Sequence, residues 1–270
     1  TGSMGDDTPI AVLSDKFRPL SHFFRQKFSQ VTNPPIDSLR EQSRMSLKTR
    51  FGNLRDVLDS NSYQDNVFVM DSPIITNSIF SKMMKFGQNV TKTIDCSFDL
   101  SKITLKESIK RIQDEAEAAV LSGKQHVVLT DINADQKKVS VPMILATAAV
   151  HTFLTRKGIR SFVSIHTQSA ECLDTHYFAV LIGVGATTIN PYLAQECIRE
   201  RFEKGLFNQL SFEACVLRYK KAVDQGLLKI MAKLGISVLS AYRGGFNFEA
   251  VGLSRSMVNE YFLGVQSRIS

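Results

Sequence analysis

The sequence predicts an α/β fold: a mostly parallel sheet with flanking helices, preceded by an irregular N-terminal segment. Three observations carry this reading. Short runs rich in β-branched residues recur from residue 126 onward: HVVLTD (His126 to Asp131), SFVSIHT (Ser161 to Thr167) and TTIN (Thr187 to Asn190). Helical patterns with their own start and stop signals lie between them, the alternation that builds right-handed βαβ units. Ahead of them, Ser38 to Asp65 is polar and weakly periodic, which reads as a wrapped, irregular stretch.

The elements follow in order. Leu20, Phe23, Phe24 and Phe28 fall at helical intervals, predicting a helix over Leu20 to Ser29. Pro34 and Pro35 stop it, since neither can donate a backbone N–H. Val67 to Met70 reads as a strand, Asn77 to Phe86 as a helix and Val90 to Phe98 as a strand. Thr104 and Glu107 form a capping box for a helix running through Ala119, with Gly123 at its end. Beyond the His126 strand, Pro142 opens a helix at its first turn and Gly158 closes it. The Ser161 strand is followed by an apolar helix ending near Gly183 and Gly185. After TTIN, helical patterns cover Pro191 to Lys204 and Ser211 to Leu234, and ISVLS (Ile236 to Ser240) returns to strand character.

Composition limits the function classes. A chain of 270 residues with 43% hydrophobic and 22% charged residues is an ordinary globular protein, long enough for about two domains. Its net charge of +7 raises the question of nucleic acid. The bases are mixed with acids, however: Lys106, Lys110 and Arg111 share a segment with Glu107, Asp114, Glu115 and Glu117. That is a solvated helix face, so no nucleic-acid partner is expected. Cys96, Cys172, Cys197 and Cys215 form no CxxC pair and no Cys/His array, which fits reduced thiols and a cytoplasmic location. No 18-residue apolar run or signal peptide occurs, so neither membrane spanning nor secretion is expected.

Few residues invite chemistry. Asp131 ends a strand where an α/β enzyme places a catalytic carboxylate, but without a basic or nucleophilic neighbour it reads as the orienter of its loop. In ECLDTH, Glu171, Cys172, Asp174 and His176 offer nucleophilic or metal chemistry on one reading and a hydrogen-bonded structural histidine on the other, which is favoured. His151 in an apolar helix and His166 in a strand read the same way. Gly183-Val184-Gly185 follows a helix and has Thr188 where a dinucleotide fingerprint needs a third glycine, so these glycines end a helix and allow close packing. In AYRGGFNFEA, Gly244 and Gly245 after a strand, flanked by Arg243 and Glu249, read as a turn, the favoured reading, or else as an anion- or flavin-facing loop.

Several ordered blocks resemble the glutamate synthase family over essentially the whole chain. They are GSMGDDTPIAVLSD (Gly2 to Asp15), FRQKFSQVTNPPIDSLRE (Phe24 to Glu41), RMSLKTRFGNL (Arg44 to Leu54), NPYLA (Asn190 to Ala194) and GLLKIMAKLGISVLSAYRGGFNFEAVGL (Gly226 to Leu253). The resemblance implies residues 1–200 as a glutamate synthase central domain and 201–270 as the beginning of the FMN-binding synthase domain. The family is a multidomain flavoenzyme in which ammonia from glutamine passes through a tunnel to 2-oxoglutarate and FMN reduces the resulting imine. A segment walling the ammonia path is thus the implied role, with a stand-alone, non-catalytic α/β binding or scaffold protein as the alternative. No cofactor is expected in this chain, although the full-length family carries FMN and an iron–sulfur cluster. The implied partners are the glutaminase, FMN-barrel and β-helix domains and a small electron-transfer subunit. Met45, in RMSL, is similar to a loop residue that approaches the flavin and the keto acid, with Asn33, Arg40 and Glu41 shaping the same boundary; simple core packing is the equal alternative for Met45. The chain departs from the family pattern at His176-Tyr177, often His-His, and at Gly245-Phe246, often Ala-Gln, which puts an amide contact from that loop in doubt.

Overall fold

The computed structural model describes residues 9–28, 38–56, 67–207 and 209–269. Its elements begin with β1 (Phe24–Gln26), α1 (Ser38–Arg44), β2 (Thr49–Phe51), β3 (Phe68–Met70), α2 (Asn77–Phe86), β4 (Thr91–Asp95) and β5 (Ser97–Phe98). Next come α3 (Leu105–Leu121), β6 (His126–Thr130), β7 (Val139–Ser140), α4 (Met143–Arg156), β8 (Ser164–Gln168), α5 (Thr175–Gly183) and β9 (Thr188–Asn190). The chain continues through α6 (Tyr192–Glu203), α7 (Phe212–Leu234), α8 (Leu239–Tyr242), β10 (Phe248–Val251), α9 (Arg255–Tyr261) and β11 (Gln266–Arg268).

At the centre is a parallel sheet in the order β4-β6-β8-β9. Strand order equals chain order, and the successive crossovers carry α3, α4 and α5. Right-handed crossovers advancing in one direction lay their helices side by side on one face. Accordingly α3 packs on α4, and α4 on α5. Val127, Leu129, Ile165 and Ile189 join the main core, whereas Val128, of opposite parity, packs with Ile75 and with Phe80 of α2. All five residues of β6 are buried, as a central strand covered on both faces requires.

The local signals explain the helix ends. Thr104 caps α3 and the Glu107 carboxylate accepts the Thr104 N–H at 2.7 Å, completing the capping box. Gly158 turns the chain after α4 at φ +72°, a left-handed conformation that costs other residues more. On α3, Lys110 pairs with Asp114 and Arg111 with Glu115, so this face is mixed in charge as the sequence indicates. No helix among the described residues is long and apolar enough to cross a membrane.

The structure corrects the expected helix over Leu20 to Ser29. Leu20–Phe23 is a single 3-10 turn, and Phe24–Gln26 leaves it as β1 because Phe24 pairs with Ala250 of β10 and is fully buried. Tertiary pairing overrides the helical spacing. Ser29, Pro34 and Pro35 lie outside the described residues. Ile236 to Ser240 is not a strand: Val238 makes one bridge with Ser46, and α8 starts at Leu239. Gly244 and Gly245 therefore follow a helical turn instead. The Ser38 to Asp65 stretch contains α1 and β2, while its residues 57–65 fall outside the description. The strand expected over Val90 to Phe98 breaks at Cys96, and β5 leaves the parallel sheet to pair with β7. The Ser161 strand begins only at Ser164, after a 3-10 turn over Arg160–Phe162.

A second sheet, in the order β1-β10-β11, ties the two ends of the chain together. The domain boundary expected at residue 200 falls inside α6, and α7 packs on both α5 and α6.

Candidate functional site

Side chains available for chemistry in a parallel sheet collect where the strands end. Here those ends form a polar ladder. Thr130 donates to Gln168 Oε1 at 2.7 Å, Gln168 donates to Asn190 Oδ1 at 3.1 Å, and Asn190 donates to the Ile75 carbonyl at 3.1 Å. Asp131, one residue beyond β6, is buried, which pushes its carboxyl above the usual range. It accepts the Ala170 N–H at 2.9 Å and the Ser169 hydroxyl at 3.3 Å. The Asp131 carboxylate thus holds the loop after β8 and not, as expected, the loop that follows its own strand.

The ECLDTH residues are likewise committed to structure. The Glu171 carboxyl, raised by burial, accepts from the Tyr177 hydroxyl and from the Met143 N–H at the start of α4. Burial holds the Cys172 thiol well above its ordinary range, the opposite of an activated nucleophile. Asp174 caps α5 through the Tyr177 N–H at 2.8 Å. His176 Nε2 lies 3.0 Å from the carbonyls of Ser21 and Phe24, fastening the N-terminal segment to α5.

The expected flavin-side residues are arranged around α1. Glu41 is buried and ion-paired with Lys229 of α7, and its carbonyl accepts the Met45 N–H at 3.0 Å. The next residue is stitched to the segment before α8, with Ser46 N–H donating to Ser237 O at 2.8 Å and Leu239 N–H donating to Ser46 O at 3.0 Å. Met45 itself is 9% exposed and belongs to the main core. Arg40 is exposed on α1, and Asn33 lies outside the described residues. The structure therefore brings Glu41 and Met45 together with the Gly226 to Leu253 block.

A third group lies toward the amino ends of the strands. His126 Nδ1 and His166 Nε2 share a hydrogen bond of 3.0 Å, and His166 Nδ1 reaches Thr188 Oγ1 at 2.6 Å. Burial lowers His126 to about 4 and holds His166 well below its ordinary range, so both rings are neutral at pH 7. His151 is lowered to about 3 by burial and by the Arg160 charge. Arg160 donates to His151 Nδ1 at 3.0 Å, to Val163 O at 2.6 Å and to Gly185 O at 2.9 Å.

These features can be set beside known proteins. The glutamate synthase central domain family matches residues 1–254. The chain belongs to that family. It is 55% identical to the glutamate synthase [NADPH] large chain of Azospirillum brasilense, matching 100% of this chain and 18% of the relative. It is 41% identical to the ferredoxin-dependent glutamate synthase of Pyropia yezoensis, covering 100% and 18%. With the glutamate synthase [NADPH] large chain of Bacillus subtilis (strain 168) the identity is 38%, over 99% and 18%. The chain thus spans less than a fifth of the length of these relatives. Among solved structures, a double mutant of flavocytochrome b2 with sulfite bound matches 92% of this chain and 80% of its own, at a TM-score of 0.50 and 11% identity. That likeness speaks to the α/β fold alone.

The residues do not fit the iron–sulfur cluster of full-length glutamate synthases. Cys96 between β4 and β5, Cys172 in the loop before α5 and Cys215 on α7 are buried apart from one another, Cys197 is exposed on α6, and no group of three or more His, Cys, Asp or Glu among the described residues could hold a metal ion. No step is derived through it. Met45, the residue expected on the flavin side, is almost wholly buried.

Sequence reasoning missed Lys229, Arg160 and the His126–His166 pair. Only the histidines carried a readable signal: both stand on strands expected to be parallel neighbours, and the observed register, Val128 opposite His166, puts the two rings on the same face.

Proposed function

We propose that this chain is the interdomain segment of a glutamate synthase large chain, holding the glutamine-hydrolysing and 2-oxoglutarate-aminating sites apart and walling part of the ammonia path. The observation that carries this is the central-domain family match along residues 1–254. The role is steric. Sequestered ammonia stays neutral and nucleophilic, whereas in bulk water it escapes or is protonated before it meets the keto acid. Bound FMN, supplied elsewhere in the large chain, provides the electrons for reducing the imine. The glutaminase, flavin-barrel and β-helix domains and a small electron-transfer subunit are the partners, and residues 201–270 lead toward the flavin domain.

Within this segment the Met45 loop faces the flavin and keto-acid site, with Asn33, Arg40 and Glu41 at the same boundary. A polarizable thioether suits a position beside a ring. Support comes from the anchoring of that loop: the Glu41–Lys229 pair on one side of Met45 and the Ser46 backbone bonds on the other leave it little freedom. The test uses a complete large chain carrying this segment with Glu41→Ala and Lys229→Met. The ratio of glutamate formed to glutamine hydrolysed falls while glutamine hydrolysis itself persists. An unchanged ratio would sink the proposal, as would steady glutamate production by the 270-residue chain alone.

A further inference from the structure

Beside the neutral histidines lies a concentration of positive charge that no carboxylate pairs with among the described residues. Arg243 closes α8, Arg160 precedes β8, and His151 of α4 sits between the Gly185 and Gly244 backbones, which its ring crowds closely enough to exclude a Cβ at either position. Burial lowers both guanidiniums to about 10, helped for Arg160 by Arg243 itself, so both stay charged at pH 7. The charges that lower Arg160, His151 and His166 come from other bases, and no carboxylate pairs with Arg160 or Arg243 among the described residues.

The two arginines differ in one respect. Arg160 donates to two carbonyls and to His151, whereas Arg243 Nε and Nη2 are both buried and have no acceptor among the described residues. These two N–H groups lie on one edge of the guanidinium plane, the edge whose spacing matches the two oxygens of a carboxylate. A buried charge and two buried donors without partners are costly unless something in the working protein completes them.

We propose that the Nε–Nη2 edge of Arg243 is a carboxylate-binding site, with Arg160 adding long-range attraction. This inference does not rest on the ammonia-path reading. Both atoms are covered in this state, so an anion enters with a local movement. That movement has to loosen the adjoining turn, where Phe246 is held at φ +48° and where Gly244 N–H donates to Ile182 O at 3.1 Å and Phe246 N–H to Gly183 O at 3.2 Å.

The test is thermal unfolding of the chain titrated with sodium acetate and sodium succinate against sodium chloride at equal ionic strength. Either carboxylate raises Tm saturably, by about 3 °C at ten times its Kd. Arg243→Met abolishes that rise without lowering Tm in anion-free buffer, because it removes an uncompensated charge. Arg243→Lys, which keeps the charge but not the fork, retains less than half of it. A flat wild-type titration, or an equal rise in Arg243→Met, overturns the proposal. Repeating the titration on a complete large chain identifies the source: an undiminished response means a free carboxylate ligand, and an occupied site restored to acetate sensitivity by removing the rest of the chain means a side-chain carboxylate from another domain.

Discussion

Replacing Gly183 by alanine sets two physical effects against each other. Gly183 is the last residue of α5, where intrinsic helix propensity favours alanine by about 1 kcal/mol. The tertiary surroundings oppose it. A Cβ on Gly183 would stand 2.0 Å from Phe248 Cζ and 3.0 Å from both Cε atoms. Carbon atoms in contact sit at about 3.5–4.0 Å, so the ring or the helix must move by roughly 1.5 Å. Neither has room. Phe248 is fully buried, edge-on to Phe24 with centroids 6.1 Å apart and to Tyr242 at 6.4 Å, on a strand paired on both sides. The net effect is a loss of about 3 kcal/mol, the upper end of the overpacking range. Urea denaturation followed by far-UV circular dichroism measures it. Phe248→Ala alone costs about 3–5 kcal/mol through its cavity, but in the Gly183→Ala background the added methyl occupies part of that space. The double mutant is then less destabilised than the sum of the singles by more than about 1 kcal/mol. A Gly183→Ala protein as stable as wild type, or a coupling within about 0.5 kcal/mol of zero, would refute the packing argument.

Three further outcomes follow from the same structure. His126 has its pKa lowered in the folded state from 6.5 to about 4, so the unfolded chain binds the extra proton between those values; its contribution is complete above pH 6.5 and drains away as pH falls toward 4. That is worth about 3 kcal/mol at 1.4 kcal/mol per unit, and because Asp131 and Glu171, raised by burial, act with the opposite sign, the check is a shallower acid-side slope in His126→Asn than in wild type. Lys229→Met leaves the Glu41 carboxylate buried without its partner and costs about 3 kcal/mol in chemical denaturation, while Glu41→Leu with Lys229→Met recovers most of it; equal losses in the single and double variants would count against a buried pair. Thiol titration of the native chain shows rapid labelling at Cys197, with Cys96, Cys172 and Cys215 reacting only on unfolding, and a second fast thiol would contradict their burial.

What could be read from the residues depended on how local its cause was. The capping box of α3, the bounds of α2 and the strand–helix alternation from β6 to β9 were legible because each is decided within one or two turns of chain. Leu20 to Gln26 and Ile236 to Ser240 were misread for the opposite reason. Phe24 is a strand residue only because Ala250, far along the chain, offers it a ladder, and Val238 bridges Ser46, which no spacing near either residue announces. The site followed the same division. Asp131 and His176 read as structural groups from a strand end and a polar helix start, but their partners, Ala170 and Ser21, are distant in sequence and were not legible. Lys229 and Arg160 gain their meaning from Glu41 and His151, partners brought over by tertiary packing. Arg243 is the sharpest case. Its sequence neighbours marked a turn, and the unpaired edge that makes it chemically interesting exists only because the packing around it supplies no acceptor among the described residues. A missing partner is a property of the fold and cannot be written in any one segment.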